Sequence, residues 1–157
     1  MIDLIRNPHQ IVLGPGLLAT ESPQGVYTIT RKSSVAACGV LTSAGAGTGV
    51  DLIPNASVPS GSNFYLGGFF VRIPGATAWV AGTGTVLRIK DKSDNVFATI
   101  DASALVAGAL ISAYSAGVTL SAYMTSGGAI NKGMKVDTDG TFSAGSDLQV
   151  ELFGYFA

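Results

Sequence analysis

The clearest structural signal in the chain is the run Leu87-Arg-Ile-Lys-Asp-Lys-Ser-Asp-Asn-Val-Phe-Ala-Thr-Ile100. Apolar and basic side chains alternate over residues 87–90, and this period of two predicts a strand with one buried face and one face in water. Residues 91–95 are short and polar and predict a tight turn, after which apolar residues return over 96–100. The run therefore predicts an antiparallel β-hairpin.

Short β-rich segments precede and follow this hairpin at intervals of roughly ten residues. Gly-rich turns separate them, and no apolar period of 3.6 residues is sustained along the chain. The other predicted strands cover residues 26–30, 35–41, 64–73, 118–124, 134–136 and 148–156. This arrangement predicts an all-β fold, with an antiparallel β-sandwich or jelly roll as the first choice and a small barrel as the second.

Two segments carry irregular patterns. Residues 42–63 are rich in Gly and Pro, and a loop of this length is long for a compact domain. The segment is therefore either a functional surface loop or contains a short strand at 50–53. Within 64–73 the apolar residues change parity at Gly67-Gly68, which predicts a β-bulge or bend at that point.

Residues 1–25 are predicted to form an extended N-terminal arm, followed by a β-sandwich domain over 26–157. Proline and glycine break the apolar bursts of this segment, so none is long enough for a helix. Such a segment is stable only against other protein, either a partner or the same sheet, and both options stay open. The C-terminal aromatic run is a second apolar surface. The predicted protein interface consists of Ile2, Leu4, Ile5, Ile11, Val12, Leu13, Phe153, Tyr155 and Phe156.

The composition excludes several classes of function. The 157 residues include 9 basic and 10 acidic side chains, and charged residues make up 12%. Nine scattered cations cannot form the basic stripe that neutralises phosphates, so we expect no nucleic acid partner. Disorder requires high charge and low hydrophobicity, whereas this chain is 47% hydrophobic. The uncharged run 102–131 contains too many Ser, Gly and Tyr residues for a bilayer span, so we expect no membrane contact.

The chain offers few side chains for catalysis. His9 is the only histidine and lies in the predicted arm, while the only cysteine, Cys38, follows two alanines in an apolar run where a buried thiol is expected. The two glutamates are Glu21 in the arm and Glu151 on the predicted water-facing side of the last strand, which does not indicate a pair across a cleft. We therefore expect a protein that is not an enzyme and that has no catalytic residue, metal or cofactor.

Short acidic side chains are expected to stabilise turns rather than to perform chemistry. The run 137–140 resembles part of a calcium loop but lacks its twelve-residue spacing and closing Glu. Asp101 is placed to N-cap one or two helical turns over 102–109. The aspartates assigned to predicted turns are Asp91, Asp94, Asp137 and Asp139.

The aromatic residues offer an alternative function. Most of them lie in predicted strands, where packing in the core is the expected role. Trp79 lies close to Gly75 and Gly82 and is the one aromatic residue expected on a loop. Together with the loop 42–63 it would form the platform of a carbohydrate- or receptor-binding jelly roll, as in a phage fibre or tail component.

A surface with few charges and many small residues is typical of protein that is buried against protein, because removing a charge from water is costly. Gly, Ala, Ser and Thr account for 69 of the 157 residues. A closed homo-oligomer would cover the predicted interface.

The C-terminal strands carry a resemblance to a known family. Gly133-Met-Lys-Val-Asp-Thr-Asp-Gly-Thr-Phe-Ser-Ala-Gly145, followed by Asp147-Leu-Gln-Val-Glu-Leu-Phe153, is similar to the closing strands of bacteriophage capsid decoration (cement) proteins. The resemblance covers about residues 117–157 and the composition of the whole chain. It implies a non-enzymatic virion structural protein, a homotrimer whose N-terminal arm clasps neighbouring subunits of the major capsid protein. It also implies a location on the capsid surface after synthesis in the host cytoplasm.

Overall fold

The computed structural model describes residues 17–21, 27–31, 34–43 and 45–157. The chain divides into two compact units, residues 1–33 and residues 34–157. In the first unit, strand β1 (Leu17–Glu21) pairs antiparallel with strand β2 (Tyr27–Arg31). Strand β1 therefore lies within the segment predicted as an arm. The predicted interface residues Ile2, Leu4, Ile5, Ile11, Val12 and Leu13 lie outside the described residues.

The second unit consists mainly of strands. Its helical elements are a four-residue helix α1 (Tyr123–Ser126) and two 3-10 turns, Asn55–Ser57 and Ala102–Ala104. The strands of this unit are β3 (Ser34–Leu41), β4 (Val50–Ile53), β5 (Phe64–Arg72), β6 (Val80–Ala81), β7 (Val86–Asp91), β8 (Val96–Asp101), β9 (Leu110–Ser112), β10 (Val118–Leu120), β11 (Met134–Thr138), β12 (Phe142–Ala144) and β13 (Leu148–Phe156).

These strands form two larger sheets and one small ribbon. The five-stranded sheet has the order β10-β8-β7-β11-β4, the four-stranded sheet has the order β3-β13-β5-β9, and β12 pairs with β6. Every pairing among the described strands is antiparallel. The predicted all-β class is confirmed.

A single hydrophobic core contains residues from both larger sheets. Leu87 and Ile89 of the five-stranded sheet are completely buried, and so are Phe64 and Val150 of the four-stranded sheet. Burying a side chain of this size contributes roughly 1.5–3 kcal/mol. The core therefore fixes which face of each strand points inward, and it leaves the alternate residues on the outer faces.

The predicted hairpin forms between β7 and β8, with Leu87 opposite Ile100 and Ile89 opposite Ala98. Its turn depends on Asp91, which is completely buried at the end of β7 rather than exposed in the turn. One carboxylate oxygen of Asp91 accepts from the backbone N–H groups of Ser93 (2.8 Å) and Asn95 (3.0 Å). The other oxygen accepts from the Asn95 side chain (2.7 Å) and from the N–H of Ala129 (2.8 Å). The carboxylate thus joins the turn to the segment that precedes β11.

The predicted bulge lies at the expected glycines. Phe153 of β13 is opposite Gly68, but the next residue, Gly154, is opposite Leu66, so β5 contains one extra residue at Gly67. The extra residue brings side chains of both parities to the core side of the strand. Phe64, Leu66, Phe69, Val71 and Ile73 are consequently all buried.

Several boundaries differ from those predicted. Of the two options for residues 42–63, the structure contains the short strand, β4 (Val50–Ile53). The helical segment predicted over 102–109 is one 3-10 turn, although the Asp101 carboxylate does accept from Ser103 N–H at 2.7 Å. The 3-10 turn ends at Leu105, whose φ of -83° and ψ of 54° are not helical, and Gly108 adopts a positive φ of 73° ahead of β9.

The strand predicted over 118–124 ends at Leu120. The Ser121 hydroxyl donates to the carbonyl of Val96 and accepts from the N–H of Tyr123, which turns the chain into helix α1. No helix in the described part of the chain is long and apolar enough to cross a membrane.

Candidate protein interface

The outer face of the four-stranded sheet carries a set of exposed apolar side chains. On β13 the core residues alternate with exposed Gln149, Glu151 and Phe153, and the neighbouring strands continue the pattern. Leu110 is 56% exposed, Val40 51%, Phe70 42% and Phe153 38%. We call this surface the apolar face, and it comprises Ala36, Cys38, Val40, Phe70, Arg72, Leu110, Gln149, Glu151 and Phe153.

Two aromatic rings on the apolar face are in contact with each other. Phe70 and Phe153 meet edge to face, with ring centroids 5.6 Å apart and an interplanar angle of 78°. The pair lies between two shallow depressions of about 250 and 210 Å³ that share Glu151 in their lining. Such a pair is an anchor of the kind that protein interfaces favour, because aromatic rings bury large areas with little loss of side-chain entropy.

The expected burial of Cys38 is wrong, because the thiol is exposed on the apolar face. Cys38 is opposite Glu151 across the β3–β13 pairing, and its neighbours Ala37 and Gly39 point the other way. The apolar run around Cys38 belongs to a strand whose two faces are both apolar, so its composition did not show which face is inside.

Only two charged residues lie on the apolar face, one of each sign. Arg72 and Glu151 are both exposed, and neither forms an ion pair or a hydrogen bond through its side chain with another described residue. Gln149 is directly opposite Arg72, so the guanidinium and the carboxylate lie on adjacent strands, displaced by two residues. Both line the larger depression together with Phe70.

The outer face of the five-stranded sheet has the opposite character, and we call it the charged face. Asp137 is 2% exposed and accepts from Arg88 Nε at 2.9 Å and from Lys90 Nζ at 2.7 Å. Lys135 Nζ lies 3.4 Å from the same carboxylate. Separately, Lys92 forms an ion pair with Asp51 of the edge strand β4. Charges on this face are therefore paired within the chain.

Two predictions about these residues are wrong. Lys90 was expected to face water, but it is 6% exposed because the carboxylates of Asp137 and Asp94 cover its ammonium group. Burial disfavours the charged form, but the hydrogen bonds to Asp137 and Asp94 outweigh it and raise the pKa of Lys90 above its usual value of 10.5. Asp137 was assigned to a turn, but it lies within β11, where three cations compensate its burial.

Asp139 has the structural role predicted for the turn aspartates. Its carboxylate accepts from the N–H groups of Thr85 (2.7 Å) and Val86 (2.9 Å) and from the Thr85 hydroxyl (2.6 Å). Partial burial opposes ionisation, but these hydrogen bonds outweigh it and lower the pKa of Asp139 below its usual value of 3.8. The carboxylate thereby ties the start of β7 to the end of β11.

The three predicted interface residues near the C-terminus differ in position. Phe153 belongs to the apolar face. The Tyr155 ring is half-buried and stacks on Tyr65, with centroids 5.1 Å apart and an interplanar angle of 3°. Phe156 packs against the core and meets Phe64 edge to face at 5.5 Å. A partner therefore reaches Phe153 more readily than the other two.

The proposed sugar platform at Trp79 is absent from the structure. The indole is 5% exposed, its Nε1 donates to the carbonyl of Ser146 at 2.6 Å, and its ring packs on Phe142 with centroids 4.9 Å apart. Trp79 does lie on a loop, directly before β6, as predicted, but it is buried rather than presented, because the pairing of β6 with β12 brings Phe142 against the indole. The ring face is thus occupied by protein.

Of the nine residues of the apolar face, only Phe153 was predicted from the sequence to lie in an interface. The most exposed residues missed are Val40, Phe70 and Leu110. The alternation in 148–152 indicated an outer face in water, and this hid the apolar neighbours that adjacent strands supply. The bulge at Gly67 was the usable signal, because it reverses the parity of β5 and directs Phe70 outward while Phe69 is buried.

Within the described residues, no group of three or more His, Cys, Asp or Glu side chains is arranged to hold a metal ion. No family model, curated protein or solved structure matches the chain.

Proposed function

We propose that this chain is a non-enzymatic structural protein of a bacteriophage virion, a decoration protein that stabilises the head by bridging subunits of the major capsid protein. It would act as a homotrimer on the capsid surface, after synthesis in the host cytoplasm. The observation that carries the proposal is the contrast between the two outer faces. One face pairs its charges internally, whereas the other exposes aromatic and aliphatic side chains to solvent.

An exposed apolar surface favours association because covering it removes apolar area from water. Phe70 meets Phe153 across strands β5 and β13 and lines the larger depression together with Leu110. Val40 lies on the same outer face, on β3 and opposite Gln149. The charged face lacks this driving force, since its side chains are already satisfied within the chain. The contrast between the two outer faces supports a function in which the apolar face is covered by another protein surface.

We also infer that residues 34–157 form a β-sandwich. The inward residues of the five-stranded and four-stranded sheets belong to one core, which is the arrangement expected of two stacked sheets. A compact antiparallel unit suits a protein that must help a shell to resist the pressure of the DNA packed inside it. The closing strands that carry the resemblance, β11 and β13, are interior strands of the two sheets.

Capsid contact is assigned to residues 1–25, because this segment contains the apolar residues that need a protein surface. A protein that binds across neighbouring capsid subunits binds the assembled shell and not the separate subunits. Its binding would therefore stabilise the shell by mass action. The mechanism requires no chemistry, only burial of apolar area across a seam between subunits.

The test is cosedimentation of the full chain with undecorated phage shells. We expect saturable binding and a higher temperature of shell disruption. The double variant Leu4→Asp/Val12→Asp should lose at least about tenfold in affinity, because each substitution places a charge in an apolar contact. Gln10→Asp is the matched control and should bind like the wild type. Absence of shell binding by the wild type, or equal binding by the double variant, would contradict the proposal.

A further inference from the structure

We propose that the apolar face binds a second copy of this chain, with Arg72 of one copy against Glu151 of the other. The inference deepens the proposed function and rests on it for the expectation of a homo-oligomer. What it adds is the surface and the pair of charges that determine how the copies meet.

Arg72 and Glu151 face outward within one apolar surface and have no ion-pair partner among the residues that the structure describes. A foreign partner would have to supply one charge of each sign at matched positions. A second copy supplies both, because its own apolar face carries the same two groups.

Symmetry allows both pairs to form together. In a closed assembly of identical chains, every Arg72 that meets a Glu151 implies the reciprocal contact elsewhere in the assembly. The two charged residues lie on adjacent strands and are displaced by two residues along the strand direction. Both line the larger depression, together with Phe70. Packing two such surfaces would bury the Phe70–Phe153 pair and place the ion pairs beside it.

The balance of charge on the apolar face favours a second copy of this chain over a partner with a charged surface. A partner with an acidic or basic surface would find no complementary field here, because the apolar face carries one positive and one negative group. A register that placed Arg72 against Arg72, or Glu151 against Glu151, would be disfavoured by repulsion between like charges. The two residues therefore favour the register in which Arg72 meets Glu151.

The test uses charge reversal in the full-length chain. Arg72→Glu and Glu151→Arg each create a repulsive contact, and each should raise the dissociation constant of the oligomer by about tenfold or more, measured by sedimentation velocity. The double variant R72E/E151R restores opposite charges and should associate like the wild type. Lys132→Glu is the control, because it changes the net charge as R72E does but lies outside the apolar face.

Cys38 reports which surface is buried. It is the only cysteine of the chain and is exposed on the apolar face. Its rate of alkylation by N-ethylmaleimide should fall as the wild-type concentration rises through the dissociation constant. In R72E the rate should stay high over the same range. Circular dichroism and urea unfolding of each variant separate lost association from lost folding.

A mixture of the two single variants gives an independent result. An R72E chain carries two acidic groups on the face and an E151R chain two basic groups, so a mixed two-fold pair satisfies both contacts. In a three-membered ring the mixture leaves one like-charge contact and recovers only part of the association. Recovery in the mixture above that of either variant alone supports the inference, and its extent gives the order of the assembly.

Three outcomes would overturn the inference. They are a wild type that stays monomeric, an oligomer whose Cys38 alkylation rate does not depend on concentration, and a double variant that fails to recover association while remaining folded. Each is measured without shells, so failure of capsid binding alone would refute the proposed function and leave the inference intact.

Discussion

Removing the charge of Asp137 should destabilise the chain far more than removing the charge of an exposed aspartate on the same sheet. In Asp137→Asn, Lys90 remains nearly buried and keeps only Asp94 as an anionic partner, while Arg88 loses its carboxylate contact. Breaking a buried ion pair by removing one partner costs about 3–5 kcal/mol, because the remaining charge is left uncompensated. We expect a loss in that range in the free energy of unfolding.

The control is Asp51→Asn, which removes the carboxylate that pairs with Lys92. The side chain of Asp51 is 50% exposed, and solvent-exposed ion pairs contribute about 0–1 kcal/mol. Urea unfolding followed by the fluorescence of Trp79, the only tryptophan and a buried one, gives both values. A loss of stability in D137N no greater than that in D51N at neutral pH would contradict the role assigned to Asp137.

Two further predictions follow from the contacts of single residues. The hydrogen bonds from Thr85 and Val86 lower the pKa of Asp139, so its carboxylate stabilises the fold above pH 3.8, and this stabilisation is lost as the pH falls through the lower folded-state pKa. Asp139→Asn should therefore be less stable than the wild type at pH 6. In thermal melts, this difference should close toward pH 2. Gly154→Ala places a Cβ against the carbonyl oxygen of Tyr65 and should cost about 1–3 kcal/mol in urea unfolding, whereas Gly68→Ala, with open space around the added methyl group, should cost less than half of that.

The elements that the sequence predicts well are those whose signal is local. The β7–β8 hairpin follows from alternation and a polar turn, and the bulge at Gly67 follows from a change of parity next to paired glycines. Strand β13 has the predicted bounds for the same reason, because apolar and polar residues alternate along most of it. Local periodicity reports burial directly, so these predictions needed no knowledge of the neighbouring strands.

The errors concern residues whose surroundings come from distant parts of the chain. Asp137 looks like a turn residue beside Asp139 and Gly140, but its partners Arg88 and Lys90 lie about fifty positions earlier. Trp79 was expected to be exposed because glycines surround it, but Phe142 of β12 packs on its ring and the carbonyl of Ser146 accepts its indole N–H. Ion pairs and strand pairings between distant segments leave no pattern in the local sequence.

The candidate interface was predicted only in part for the same physical reason. Phe153 was identified from the aromatic run at the C-terminus, but its neighbour Phe70 becomes part of the surface only through the β5–β13 register. A contiguous apolar face requires several strands side by side, and the polar residues Gln149 and Glu151 in the alternating strand concealed it. The order of strands in the sheet supplied the missing information.

The measurement that tests the central claim most directly is the mass of the purified full-length chain in solution, by light scattering over a range of dilution. If the apolar face is a protein interface between copies, the mass is an integer multiple of 15.9 kDa, three for the proposed homotrimer, and falls only on extensive dilution. A mass of 15.9 kDa at every concentration would contradict the account, because the exposed aromatic surface would then remain in water without a partner copy.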